Sequence, residues 1–67
     1  MSLAKVIEVM AEGENMEQAI NNAVLLAAKT VQEIKSVYVE NMQGVVENNK
    51  VVRYRVNAKI TFMVKNT

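Results

Sequence analysis

Arg53, Arg55 and Lys59 fall at even spacing, which sets three cations on one side of an extended strand. Such a row can bind phosphate groups, and Tyr38 can stack on a base if it is brought to the same side. Alternating charge is equally the mark of a solvated or oligomer-facing strand, and cross-strand pairing of Glu40 with Arg53 or Arg55 is favoured over nucleic-acid binding. Glu12, Glu14 and Glu17 form a second cluster. Close carboxylates can hold a cation, but acidic residues also suit the first turn of a helix, and that reading is preferred. Other chemistry is excluded by missing residue types. Without Cys, His or Asp there is no thiolate nucleophile, imidazole base, zinc site or usual calcium loop. Two glycines cannot build a phosphate-cradling loop. The composition points to a non-enzymatic protein that requires no metal and no cofactor.

The elements that position these residues are few. A 67-residue chain is expected to be a single domain, and one this short buries only about 60% of the surface of its unfolded form. Small domains compensate with disulfides, a metal or self-association, and the first two lack ligands here. The longest apolar run, Ala23 to Ala28, falls well short of a membrane span, and no signal peptide is visible. A cytoplasmic protein is expected. The net charge of +1 hides an asymmetry: residues 1–33 carry five Glu against Lys5 and Lys29, while residues 34–67 carry six Lys or Arg against Glu40 and Glu47. Attraction between the halves, within or between subunits, is the favoured reading.

Lys5 to Met10 reads as a first strand, closed by the Ala-Glu-Gly-Glu segment with Gly13 marking a turn. Asn15 and Gln18 have the spacing of a capping box, so a helix starts at Met16. Met16, Ala19, Ile20, Ala23, Val24, Ala27, Ala28 and Val31 form one helical stripe, with Glu17, Gln18, Asn21, Asn22, Lys29 and Gln32 on the wet side. Leu25 projects away from the stripe, either alone or as a subunit contact. Ile34 to Glu47 reads as a second strand with Gly44 marking a bulge, and Asn48-Asn49 suits a tight hairpin. Val51 to Val64 is a third strand with strict alternation. At about 3.4 Å per residue it far outruns a helix of about sixteen residues, so part of the hairpin overhangs and packs against neighbouring copies.

The expected fold class is α+β, in the order β-α-β-β. The third strand lies between the other two, and the helix covers one face of the three-stranded sheet. The uncovered face then carries Ser36, Tyr38, Glu40 and Met42 from the second strand. From the third it carries Arg53, Arg55, Asn57, Lys59, Thr61 and Met63. Met1 is read as the initiator, and Met10 and Met16 flank the first loop. Met42 and Met63 suit an adaptable contact with another subunit or a planar ligand.

The segments "KVIEVMAEGENMEQAINNAVLLAAKTV", "IKSVYVENMQG" and "VVRYRVNAKITFMV" resemble the dodecins, very small flavin-binding proteins with this order of elements. The resemblance implies a hollow homo-dodecamer with sheets inside and helices outside, and FMN, FAD or riboflavin as ligand. In flavin-binding members a tryptophan early in the second strand stacks on the isoalloxazine ring, and its position here is Ser36. The glutamine that reads the pyrimidine edge corresponds to Arg55, following Tyr54. A hydroxyl cannot stack, and a guanidinium has no acceptor for the flavin N3 hydrogen, though it can bind a phosphate. Tyr38, on the same face as Ser36, is the candidate replacement aromatic. The resemblance therefore implies a small planar or anionic ligand on the sheet face, with Ser36, Tyr38 and Arg55 as its contacts. A purely structural shell, filled by water, ions or intersubunit salt bridges, is the alternative.

Overall fold

The computed structural model describes residues 2–65, and the reading of Met1 lies outside them. The order is β1 (Ser2–Gly13), α1 (Met16–Ala28), β2 (Ile34–Glu47) and β3 (Lys50–Lys65). The strands lie in the order β1-β3-β2, and β3 is antiparallel to both neighbours. The expected topology is therefore present, with the last strand at the centre.

β1 is longer than Lys5 to Met10. Its pairing continues through Ala11, Glu12 and Gly13 to Val56, Arg55 and Tyr54, so the Ala-Glu-Gly segment belongs to the sheet. Gly13 has a negative φ and makes no turn by itself. Its constraint is proximity: a Cβ there would sit 2.5 Å from the Ala19 nitrogen and 2.8 Å from the Gln18 carbonyl carbon. The glycine lets the first turn of α1 fold directly onto the end of β1.

Asn15 caps the helix, its side-chain oxygen accepting from the Gln18 amide at 2.8 Å. Gln18 reaches back to the amide of Glu14, one residue before the cap, a variant of the reciprocal box. Asn22 is not wholly wet, because its Nδ2 donates to the Glu12 carbonyl at 2.8 Å and ties α1 to β1. The helix stops at Ala28, short of Val31. The Thr30 and Val31 amides both turn back to the Ala27 carbonyl, and the Thr30 hydroxyl donates to the same oxygen. A threonine bonding locally and a β-branched neighbour disfavour another helical turn. Glu33, at φ 55, then redirects the chain into β2.

The core lies between α1 and the sheet. Ala19, Ala23 and Ala27 of the helix are buried against Val56, Ala58, Ile60 and Phe62 of β3. Three small residues along one stripe bring the helix close to the strands, and Val9, Ala11, Ile20, Val37, Val39, Met42 and Tyr54 pack around this contact. Met16, Leu25 and Leu26 remain exposed on the helix.

Met42 departs from the expected face. The ladder slips between Val39 and Asn41, so Asn41 pairs with Asn57 and Met42 with Val56. The extra residue flips everything that follows to the opposite face, and Met42 joins the helix side. Gly44 is not a bulge, since it pairs in register with Tyr54. The irregularities lie between Ile34 and Ser36, Val39 and Asn41, and Val45 and Val46. Asn48 and Asn49, at φ 53 and 64, form the expected two-residue hairpin turn. The molecule is 53 Å long, and the β2–β3 arm runs well past α1, leaving Val46, Val51 and Val52 exposed.

Gly13→Ala is expected to lower stability by about 1–3 kcal/mol through crowding of the helix start, with no contribution from backbone strain. A urea midpoint unchanged from the parent would show that the helix can move away at no cost.

Candidate functional site

Register assigns the uncovered face row by row along β3. Thr61 lies between Val6 and Ser36, Lys59 between Glu8 and Tyr38, and Asn57 between Met10 and Asn41. Arg55 lies between Glu12 and Gln43, and Arg53 has Val45 on one side only, because β1 has ended. The central strand supplies the cations and both flanking strands supply carboxylates.

Ion pairs follow this layout. The Arg53 Nε donates to Glu12 Oε1 at 2.8 Å, the Arg55 Nε donates to Glu12 Oε2 at 2.7 Å, and the Arg55 Nη2 stands 2.7 Å from the same oxygen. One carboxylate is thus shared by two guanidiniums. Arg53 Nη1 also approaches Glu47 Oε2 at 3.5 Å. Glu40, in the bulge, faces Lys59 at 3.8 Å and is not the partner of Arg53 or Arg55. Here the sequence reading is corrected: the partner is Glu12, brought into line by the unrecognised extension of β1. The same pairing removes Glu12 from the Glu12, Glu14, Glu17 cluster, and among the described residues no group has the makings of a metal site. It also joins the acidic first half of the chain to the basic second half and pairs two of the three cations in the row, Arg53 and Arg55.

Hydrogen bonds from Arg55, then those from Arg53, hold the Glu12 carboxyl below its ordinary value of 4.5. Reciprocally, the Glu12 bond raises Arg53. The side chains of Arg53, Arg55 and Glu12 are 41%, 34% and 35% exposed, so the cluster is open to solvent and to small ions.

Asn57 donates to the Asn41 side-chain oxygen at 2.7 Å in the next row. Around this pair a hollow of about 410 Å³ opens between Glu8, Met10, Glu40 and the two asparagines. Another, of about 450 Å³, lies at the far end of the sheet between the 30–33 turn and Phe62, Met63, Val64 and Lys65. Of the anticipated residues it includes only Met63.

The three anticipated ligand contacts are not gathered within one chain. Ser36 is opposite Thr61 and Tyr38 opposite Lys59, six and four residues along β3 from Arg55, or roughly 20 and 14 Å. Tyr38 is 66% exposed. Glu8, Met10, Glu12 and Gln43 share the face but were not singled out for it. The alternation Val6, Glu8, Met10, Glu12 against Ile7, Val9, Ala11 carried that signal.

Residues 3–65 match the family described as Dodecin. The chain belongs to the dodecin family. Among solved structures, a Thermus thermophilus protein superposes with a TM-score of 0.90 at 25% identity over the full length of both chains. An arginine-to-alanine variant of the Thermus thermophilus dodecin gives 0.89 at 25%, again over both full chains. The Streptomyces coelicolor dodecin gives 0.88 at 25%, covering 98% of this chain and 96% of that one. Comparison with curated proteins finds no match. Among the described residues no helix is long and apolar enough to cross a membrane.

Because the Glu12 value is lowered on folding, its contribution to stability is complete above about 4.5 and disappears as pH falls through the lowered value. Glu12→Gln should be less stable than the parent at neutral pH and should lack that part of the acid loss. Melting temperatures measured from pH 7 to 3 test this, and superimposable acid limbs would contradict it.

Proposed function

We propose that this dodecin is a non-enzymatic homo-dodecamer, acting in the cytoplasm, that binds or sequesters a small planar or anionic ligand on the uncovered sheet face. The observation that carries the reading is the make-up of that face. It has no helix over it, yet it presents Val6, Met10, Tyr38 and Met63 among its charges, an adaptable lining for a flat molecule or a second sheet. The wide separation of Ser36 and Tyr38 from Arg55 supports a site assembled from more than one copy, since a small ligand cannot touch all three on one chain.

Flavins are the ligand class of the family, and FMN, FAD and riboflavin are the first compounds to test. Ser36 offers no ring, and Arg55 has donors but no acceptor. A ring-only ligand is therefore held less tightly than in dodecins that carry the tryptophan and the glutamine. A structural shell without an organic ligand is the second reading, favoured by the Glu12 pairing that already satisfies Arg53 and Arg55.

Twelve copies of a 7.5 kDa chain give a particle of about 90 kDa, measurable by light scattering. A folded species at the mass of one chain would dismiss the assembly. Ser36→Trp combined with Arg55→Gln restores a stacking surface and an amide that both donates and accepts. Stacking on an aromatic is worth about 1–3 kcal/mol, so riboflavin affinity, read by fluorescence quenching, should rise roughly fivefold or more. If the double variant quenches no better than the parent, the face is not a flavin-type site and the shell reading stands.

A further inference from the structure

We infer that the hollow at the Lys65 end of the sheet receives the acidic start of α1, with Met16 at its centre, from a second copy of the chain. This rests on the reading of the protein as a homo-oligomer and names a contact by which the copies join. The hollow lies where α1 has stopped at Ala28 while β3 runs on to Lys65. It measures about 450 Å³, and Val31, Phe62, Met63 and Val64 give it an apolar lining. Leu3, opposite Val64 on β1, is exposed and continues that apolar surface.

Charge marks the rim. Lys5 stands opposite Phe62, Lys65 ends β3, Lys35 lies in the irregular step between Ile34 and Ser36, and Lys29 caps α1. All four are exposed, and among the described residues none of them is in an ion pair. Glu33 is the acid that lines the hollow among the described residues, so this end of the molecule carries a surplus of positive charge.

The matching surface is at the other end of the same helix. Met16 opens the apolar stripe of α1, yet it is 54% exposed, while Ala19, Ala23 and Ala27 of that stripe are buried. Glu14 and Glu17 flank it, exposed and likewise outside the ion pairs of the described residues. An apolar side chain between two carboxylates thus complements an apolar hollow rimmed by four cations. The lysines come from α1, β1, β2 and β3, a spread that two separate carboxylates answer better than the single head of a small amphiphile. One chain cannot make the contact with itself. Gly13, just before the helix, pairs with Tyr54, and ten residues of β3, roughly 34 Å, separate Tyr54 from Val64. Each chain therefore gives its Met16 to one neighbour and its hollow to another, a head-to-tail contact of the kind that closes into rings.

Cysteine cross-linking reads this contact directly, because the chain has no cysteine of its own. In Met16→Cys with Val64→Cys the two thiols cannot bridge within one chain, since a disulfide needs Cα atoms within about 7 Å. Oxidation of the assembled double variant should give a ladder of linked chains on a denaturing gel that collapses on reduction, while each single variant runs as one chain. An assembly intact by light scattering but without the ladder would overturn the contact and leave the homo-oligomer standing. A folded single chain by light scattering would remove both. Should the double variant fail to fold, Glu14→Gln with Glu17→Gln decides: the concentration at which the assembly dissociates should rise about threefold or more, and an unchanged value overturns the contact. Decanoate titrated into the assembled parent tests the other occupant. No response is expected, and saturable binding weakened by Lys65→Gln would show the hollow open to a small amphiphile and overturn the inference as well.

Discussion

The structure depends on a mismatch of lengths. A thirteen-residue helix extends about 20 Å, while the molecule it must cover is 53 Å long. α1 can shield only the middle of one sheet face, and the buried set it creates is small: three helical alanines against Val56, Ala58, Ile60 and Phe62. Alanine contributes closeness rather than apolar area, so the contact is tight but modest in hydrophobic gain. The uncovered face, the overhanging β2–β3 arm and the exposed Leu25 and Leu26 all follow from this limit. A long two-stranded arm with exposed Val46, Val51 and Val52 is not self-sufficient in water. In the proposed assembly, further copies of the chain complete it.

The same mismatch sets the electrostatics. β1 ends at Gly13, one residue short of the position that would face Arg53, so Glu12 reaches across to serve both Arg53 and Arg55. The glycine that lets α1 dock on the strand end therefore also fixes where the carboxylate stands. Fold and charge pattern are linked at this corner: Asn22 from the helix anchors the Glu12 carbonyl, and the Glu12 side chain anchors the arginines. Where the helix no longer shields the sheet, ion pairs organise the opposite surface.

Much of the fold was legible because it rests on periodicity. The alternation of β3, the alanine stripe of α1 and the Asn48-Asn49 turn each have one simple physical reading, and element order then leaves a single compact topology. The misses are cases in which a local rule was applied too far. Alternation was carried through "VENM", although Glu40-Asn41 puts two polar residues between Val39 and Met42, the spacing of an inserted residue. Gly44 and Gly13 were assigned to backbone geometry, yet Gly13 answers to a close contact that sequence does not display. The apolar stripe runs on to Val31, but the bonding of Thr30 to the Ala27 carbonyl ends the helix first. For the site, the cationic row was visible, but its partner was not. Glu12 became the partner only when pairing extended β1 by three residues, a tertiary effect that strand propensity around a glycine argues against.

If the buried core of one chain is too small and other copies supply the rest, folding and assembly are one equilibrium. The most direct measurement is the melting temperature as a function of protein concentration over a roughly hundredfold range, with secondary structure and particle mass followed together. The account predicts that the melting temperature rises with concentration and that both signals are lost in the same transition. A melting temperature independent of concentration, belonging to a folded single chain, would contradict it.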